Sequence, residues 1–210
     1  MKVKTYEVGS LSANCYIVST EQSAVVIDPG FMIEKFLEQI TQNKEKIKGI
    51  LLTHGHIDHI SAVMQVKELT GAPIAIHKAD SKGLFDANIS LCNMMNGMYV
   101  QPKVDKQPEI LLEGGETLEF GDIEIKVIHT PGHTDSGVCF LIENLLFTGD
   151  TLFAGNIGRT DFPTGDYNKM KESLHKLAAL DKDYFVYPGH GIPTTLEKEK
   201  SNNPYMVDNI

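Results

Sequence analysis

Cysteine is scarce in this chain, with three in 210 residues, at positions 15, 92 and 139. They are odd in number and far apart. No two form a CxxC redox or zinc pair, so a reduced, cytoplasmic protein is expected. Long hydrophobic runs are missing as well. No apolar stretch approaches the roughly 18–20 residues that span a bilayer, and none follows Lys2 and Lys4 to make an export signal. Positive charge is in short supply, 19 Lys and Arg against 28 Asp and Glu, for a net charge of -9. Such a chain is a poor partner for phosphate backbones and anionic lipid, which argues against nucleic-acid binding and membrane docking. The composition that remains, 41% hydrophobic and 22% charged, is that of a globular protein long enough to bury a core. No repeat, linker or low-complexity segment divides it, so residues 1–210 are read as one domain.

Short β-branched runs at 2–8, 15–20 and 23–27 read as a strand meander, stopped by Asp28-Pro29-Gly30. Residues 33–43 carry Ile33, Phe36, Leu37 and Ile40 at helical spacing. Ile50-Leu51-Leu52 and Ile74-Ala75-Ile76 read as buried strands, with a helix from about His59 to Thr70 between them. Residues 78–85 have helical character. The polar, methionine-bearing stretch 86–109 has no period and reads as a long loop, with room for one short helix, that covers a pocket. Four strands follow at 117–120, 123–129, 137–142 and 145–148. The clearest helix is 166–180; then come a strand at 184–187 and a short helix capped near Thr194 or Thr195. This order fits two packed sheets with helices outside.

What stands out is histidine: eight residues, and not scattered. His54-x-His56-x-Asp58-His59 is the sharpest signal. Neutral imidazole and carboxylate are ligands of choice for zinc, iron and manganese. In an extended segment residues 54 and 56 point the same way. Asp58 and His59 lie at a loop-to-helix junction and can turn toward a different point, so a second ion beside the first is geometrically natural. Three more residues share one grammar: His133 after Pro131-Gly132, Asp150 after Thr148-Gly149, and His190 after Pro188-Gly189. Each is a strand, a glycine turn, then a ligand-capable side chain at the strand's C-terminal end, where α/β sites sit. Asp150 has two oxygens and can bridge. Seven donors suit two ions that share a carboxylate and a hydroxide. His77, His129 and His175 are read as structural or, for His129, as a partner of a ligand. Cys15 and Cys139 lie in apolar strands and belong to the core.

Taken in order, the His54-x-His56-x-Asp58-His59 motif, His133, Asp150 and His190 resemble the metallo-β-lactamase superfamily over essentially the whole chain, the Asp28-Pro29-Gly30 turn included. The resemblance implies an α+β fold, a four-layer αββα sandwich with metals in a cleft at the sheet edges. It implies one ion on His54, His56 and His133, a second on Asp58, His59 and His190, and Asp150 between them. Two divalent ions per chain are expected, zinc first, with iron or manganese suited to the same donors. The short bacterial glyoxalase II-like (hydroxyacylglutathione hydrolase-like) branch is the nearest in pattern. β-Lactamases of the main zinc class carry cysteine where Asp150 stands. The flavin-linked di-iron branch has glutamate in place of His56, and the RNA-processing branch needs a basic surface. Gly158-Arg159-Thr160-Asp161-Phe162 resembles both the glyoxalase II-like proteins and the persulfide dioxygenases. By that match Arg159 stands where a basic residue contacts glutathione; a salt bridge to Asp161 or Asp166 is its other reading. Glyoxalase II proper has a C-terminal helical domain with further glutathione contacts, and 20 residues follow His190 here. Weak glutathione binding, or another low-molecular-weight thiol, is therefore expected.

The expected reaction is hydrolysis of a small-molecule acyl thioester such as S-lactoylglutathione by a metal-activated hydroxide. Asp58 would serve as ligand and as acceptor for the hydroxide's hydrogen, and Arg159 would pair with a substrate carboxylate. The leaving thiolate is soft and needs no general acid. The alternatives are an iron-dependent persulfide dioxygenase using His54, His133 and Asp150, a lactone or phosphodiester hydrolase with the same metal pair, and a metal-stabilised binding domain without activity.

Overall fold

In the computed structural model, which describes residues 1–207, two six-stranded sheets form the middle of the molecule. The first contains β1 (Lys2–Val8), β2 (Ala13–Ser19), β3 (Ala24–Ile27), β4 (Ile47–Leu51), β5 (Ile74–His77) and β6 (Ile110–Leu112), adjacent in that order. β1 to β3 are an antiparallel meander, and β3 to β6 run parallel. The second is built from β7 (Thr117–Phe120), β8 (Ile123–His129), β9 (Val138–Ile142) and β10 (Leu145–Gly149). A two-stranded hairpin, β11 (Leu152–Phe153) with β12 (Asn156–Ile157), then leaves the sheet, which is completed by β13 (Phe185–Pro188) and β14 (Thr194–Thr195). Its spatial order is β14-β13-β10-β9-β8-β7, with β13 parallel to β10.

The period-2 geometry of strands sorts the side chains into layers. Tyr16, Val18, Val25, Ile27 and Leu51 of the first sheet meet Val138, Phe140, Ile142 and Phe147 of the second. The alternate residues Cys15, Ile17, Val26 and Ile50 face α1 (Glu34–Asn43), α2 (Ile57–Ile60) and α3 (Val63–Thr70) through Phe36, Ile40, Ile60 and Val66. On the far side Cys139, Leu146 and Val186 pack against Met170, Leu174 and Leu177 of α4 (Tyr167–Ala178) and Met206 of α6 (Pro204–Val207), which follows α5 (Leu196–Asn202). Both faces of each central strand are covered, which is why these strands read as unbroken apolar runs. The result is the expected αββα sandwich. Cys15 and Cys139 are buried core residues, as expected, and Cys92 is partly buried. Among the described residues no helix is long and apolar enough to cross a membrane.

The structure departs from the sequence reading in several places. The helix expected from His59 to Thr70 is two helices, α2 and α3, because the N–H of Ala62 turns to the Pro29 carbonyl at 2.9 Å. The strands β6, the β11–β12 hairpin and β14 were not expected. Each is two or three residues long, too short to show a period, and each exists because a partner backbone supplies its hydrogen bonds.

β3, β4, β10 and β13 all deliver their C-terminal ends to one edge of the sandwich. Residues of β2 sew the two sheets together there. The Asn14 amide donates to the carbonyls of Pro188 and Gly191 at 3.0 and 2.9 Å, its N–H donates to Gly189 O at 2.7 Å, and the Tyr16 hydroxyl donates to Pro188 O at 2.5 Å.

Candidate metal centre

The turn after β4 carries His54 and His56, and the first turn of α2 carries Asp58 and His59. The loops after β8, β10 and β13 bring His133, Asp150 and His190 to the same edge. His56 Nδ1 lies 2.8 Å from His133 Nε2, and His59 Nε2 lies 3.4 Å from His190 Nε2. Asp150 sits between the two groups: Oδ1 is 3.4 Å from His59 Nε2, and Oδ2 is 3.4 Å from His133 Nε2 and 3.6 Å from His190 Nε2. Asp58 Oδ2 is 3.2 Å from His190 Nε2. The seven residues singled out in the sequence therefore converge. Two trios have donor atoms within 4.8 Å of one another: His54, His56 and His133, and Asp58, His59 and His190.

The outer nitrogens decide which inner ones are bare. The Thr53 hydroxyl gives its one hydrogen to Asp28 Oδ2 at 2.6 Å, so it can only accept from His54 Nδ1–H at 3.0 Å. His59 Nδ1–H donates to Asp28 Oδ2, His133 Nδ1–H to Arg159 O, and His190 Nδ1–H to Leu11 O, at 3.0, 2.7 and 3.1 Å. In the neutral ring the Nε2 lone pair is then left facing the centre, which is how protein scaffolds fix ligand tautomers. Asp28 is the hub, accepting also from Thr53 N–H at 2.7 Å. Its backbone is held at φ 49°, in the left-handed region that a non-glycine residue enters at a cost. A third grouping of donors, Asp28 with His54 and His59, is already spoken for, since both Asp28 oxygens accept these bonds. Asp28→Asn keeps the shape but turns an acceptor into a donor. It is expected to weaken metal affinity about 10–100-fold, read by chelator competition; an unchanged affinity would remove Asp28 from the support of the site.

Charge and burial favour a cation. Burial, with the His59 and His56 rings beside it, presses the His54 imidazole well below its usual range. Burial and His133 push His56 down to about 3. Burial opposes charge on His59 too, but Asp58, Asp150 and Asp28 outweigh it and raise that imidazole. Two buried atoms are orphaned among the described residues of this centre: His54 Nε2 and Asp150 Oδ1 have no hydrogen-bond partner. An unsatisfied buried lone pair costs free energy, and a metal ion is the natural partner for a neutral imidazole and a carboxylate aimed at one point. The residues fit the ions that the motif implies.

Residues 8–190 match the family model of the metallo-beta-lactamase superfamily. The chain belongs to that superfamily. It is 34% identical to hydroxyacylglutathione hydrolase GloC of Haemophilus influenzae over 98% of both chains. Among solved structures it is similar to the BLEG-1 B3 metallo-beta-lactamase, with a TM-score of 0.90 and 32% identity over 98% of this chain and 99% of that one. It is similar also to TTHA1623 in a di-iron-bound form, with a TM-score of 0.83 and 34% identity over 96% and 99%. The protein is a metal-dependent hydrolase of the metallo-β-lactamase superfamily.

In this member of the superfamily the centre opens into a cleft of about 450 Å³. Leu91 and Met95, from the loop expected to cover a pocket, form part of its wall. Arg159 also lines it, but the guanidinium is exposed, forked onto the Asp161 carboxylate by two hydrogen bonds of 2.8 Å, and 4.3 Å over the Phe162 ring. His77 and His129 stack on each other at 4.8 Å, and His175 lies exposed on α4.

Several contributors were not identified from sequence. Asp28 was read only as part of a turn, although it shares the pattern of a charged residue directly after a buried strand. Asp80, buried in the one-turn helix Asp80–Leu84, accepts from Thr134 Oγ1 at 2.7 Å and from Gly55 N–H, tying together the loops that carry His133 and His54. Nothing local announces it. Two glycines are required by close approach. A Cβ on Gly30 would lie 1.6 Å from Asp58 O, and one on Gly189 would lie 2.1 Å from Asp150 Oδ1.

Proposed function

We propose that the protein hydrolyses acyl thioesters, as glyoxalase II-like enzymes do. The observation that carries this reading is the lining of the cleft. Outside the His/Asp cluster and Arg159 it offers, among the described residues, no lysine, tyrosine, serine or cysteine, and so no separate acid to protonate a leaving group. A thiolate is the leaving group that needs none. The likeness to hydroxyacylglutathione hydrolase GloC supports the same choice.

His54, His56 and His133 would hold one divalent ion and Asp58, His59 and His190 the other, with Asp150 between them. When bound, the pair supplies Lewis acidity for a carbonyl oxygen and lowers the pKa of water to near neutrality. Zinc is the proposed occupant, and iron the first alternative given the likeness to a di-iron protein. Asp58 faces the cleft and accepts the hydrogen of the attacking water. Phe162, with its ring centre 5.5 Å from that of His56 and 5.9 Å from that of His133, stands beside the reacting centre on the cleft wall. Where a substrate carries a carboxylate, Arg159 would exchange its Asp161 partner for it. Being exposed, it contributes modestly: Arg159→Ala should raise KM about fivefold at most, read in steady-state assays with a carboxylate-bearing thioester.

The test is metal analysis of the purified protein followed by assay of the metal-replete form with S-lactoylglutathione and simpler acyl thioesters. Two ions per chain and thioester cleavage are expected. One iron per chain with oxygen uptake on a persulfide, or turnover of a β-lactam alone, would overturn the reading.

A further inference from the structure

The wall of the cleft says more than its metal donors do. Leu11, Ile57, Leu91, Met95, Phe153 and Phe162 supply apolar surface to its lining. Leu91 is held at φ 64°, in the left-handed region that a branched residue avoids, and is nonetheless buried at the cleft. The backbone thus accepts strain to present an apolar side chain there. Against this surface stands one cation outside the metal donors, Arg159, the only arginine of the chain, with its fork engaged by Asp161. Among the described residues no lysine lines the cleft, and Asn156 is the only uncharged polar side chain in its lining. A ligand with two carboxylates and an ammonium, such as a glutathione conjugate, would find at most one partner. It would also approach a chain of net charge -9.

We infer that the preferred substrates are apolar acyl thioesters, medium-chain or aromatic, of a small neutral thiol. This rests on the thioester reading above. In the reaction the oxygen of water forms the new bond to the acyl carbon, the C–S bond breaks, and the products are the carboxylic acid and the thiol, with no oxidant or reductant. A cleft of about 450 Å³ lies within the range that encloses a ligand of this size. Each methylene it buries should raise kcat/KM about three- to fourfold until the wall is covered.

The test uses the metal-replete protein. Acetyl, butanoyl, hexanoyl and phenylacetyl thioesters of N-acetylcysteamine are compared with the same acyl groups on glutathione. Calorimetry measures binding of the non-hydrolysable hexyl thioethers of both thiols. The expected result is a rising kcat/KM along the acyl series and at least tenfold tighter binding of the N-acetylcysteamine thioether. The dependence on chain length should flatten in Leu11→Ser, at an exposed position, and in the near-isosteric Met95→Gln. Equal or tighter binding of the glutathione thioether, or kcat/KM independent of chain length, overturns the inference. Retained preference in binding with no thioester cleaved overturns the thioester reading and supports the apolar class, so the two failures are distinguishable.

Discussion

Asp150→Asn is expected to lower kcat/KM by about a thousandfold or more, on the scale of several kcal/mol of lost metal assistance. The substitution preserves volume and the two-branched head. It replaces an acceptor-only carboxylate by an amide with one donor end, at a position where His59, His133 and His190 all lie within 3.6 Å. Burial would raise the Asp150 carboxyl, yet His59, His133 and His190 hold it well below the usual carboxylate range, so it is charged at any working pH. Removing that charge leaves the two trios facing each other with no anion between them. Metal content should fall below two ions per chain while the circular dichroism of the folded chain is retained. Activity within tenfold of the wild-type chain, at full metal loading, would sink the assignment of Asp150 as the shared donor.

The second large effect concerns Asp80. Burial pushes its carboxyl up from 3.8 to about 7, the bonds from Thr134, Ser136 and Gly55 only partly offsetting this. The native state therefore holds a proton that the unfolded chain has released between about pH 4 and 7. Stability contributed by this group is present at pH 4 and is lost as pH rises through 7. The shift corresponds to about 4 kcal/mol. Asp80→Asn cannot titrate, so its stability relative to the wild-type chain should climb by about that amount from pH 4 to pH 8, measured by urea unfolding with metal removed by chelator. A difference that stays flat with pH would show that Asp80 is not a buried, titrating acid.

The metal-binding motif was readable because its spacing is local. His54, His56, Asp58 and His59 are neighbours in the chain, and His133, Asp150 and His190 each follow a recognisable strand and glycine. The supporting interactions join residues far apart: Asp28 to Thr53 across 25 positions, and Asn14 to Gly191 across 177. No local pattern carries such a pairing. Arg159 was read two ways, as a substrate contact and as a loop ion pair. The structure provides the ion pair, with Asp161, while leaving the residue on the cleft wall.

The order of strands and helices in the sequence already fits two packed sheets with helices outside, and the spacing of histidine and aspartate already singles out the seven candidate donors. Short apolar runs and the histidine spacing are properties of successive residues, and the chemistry of imidazole and carboxylate needs no fold to be stated. Tertiary structure decided which lone pairs face inward, through Asp28, Thr53 and the carbonyls of Leu11 and Arg159. It also broke the helix after His59, when Pro29 captured the N–H of Ala62. And it turned a methionine-bearing loop without period into an apolar wall. The scarcity of positive charge gained meaning only in the folded cleft, because where a charge is missing matters more to a ligand than how many are missing overall.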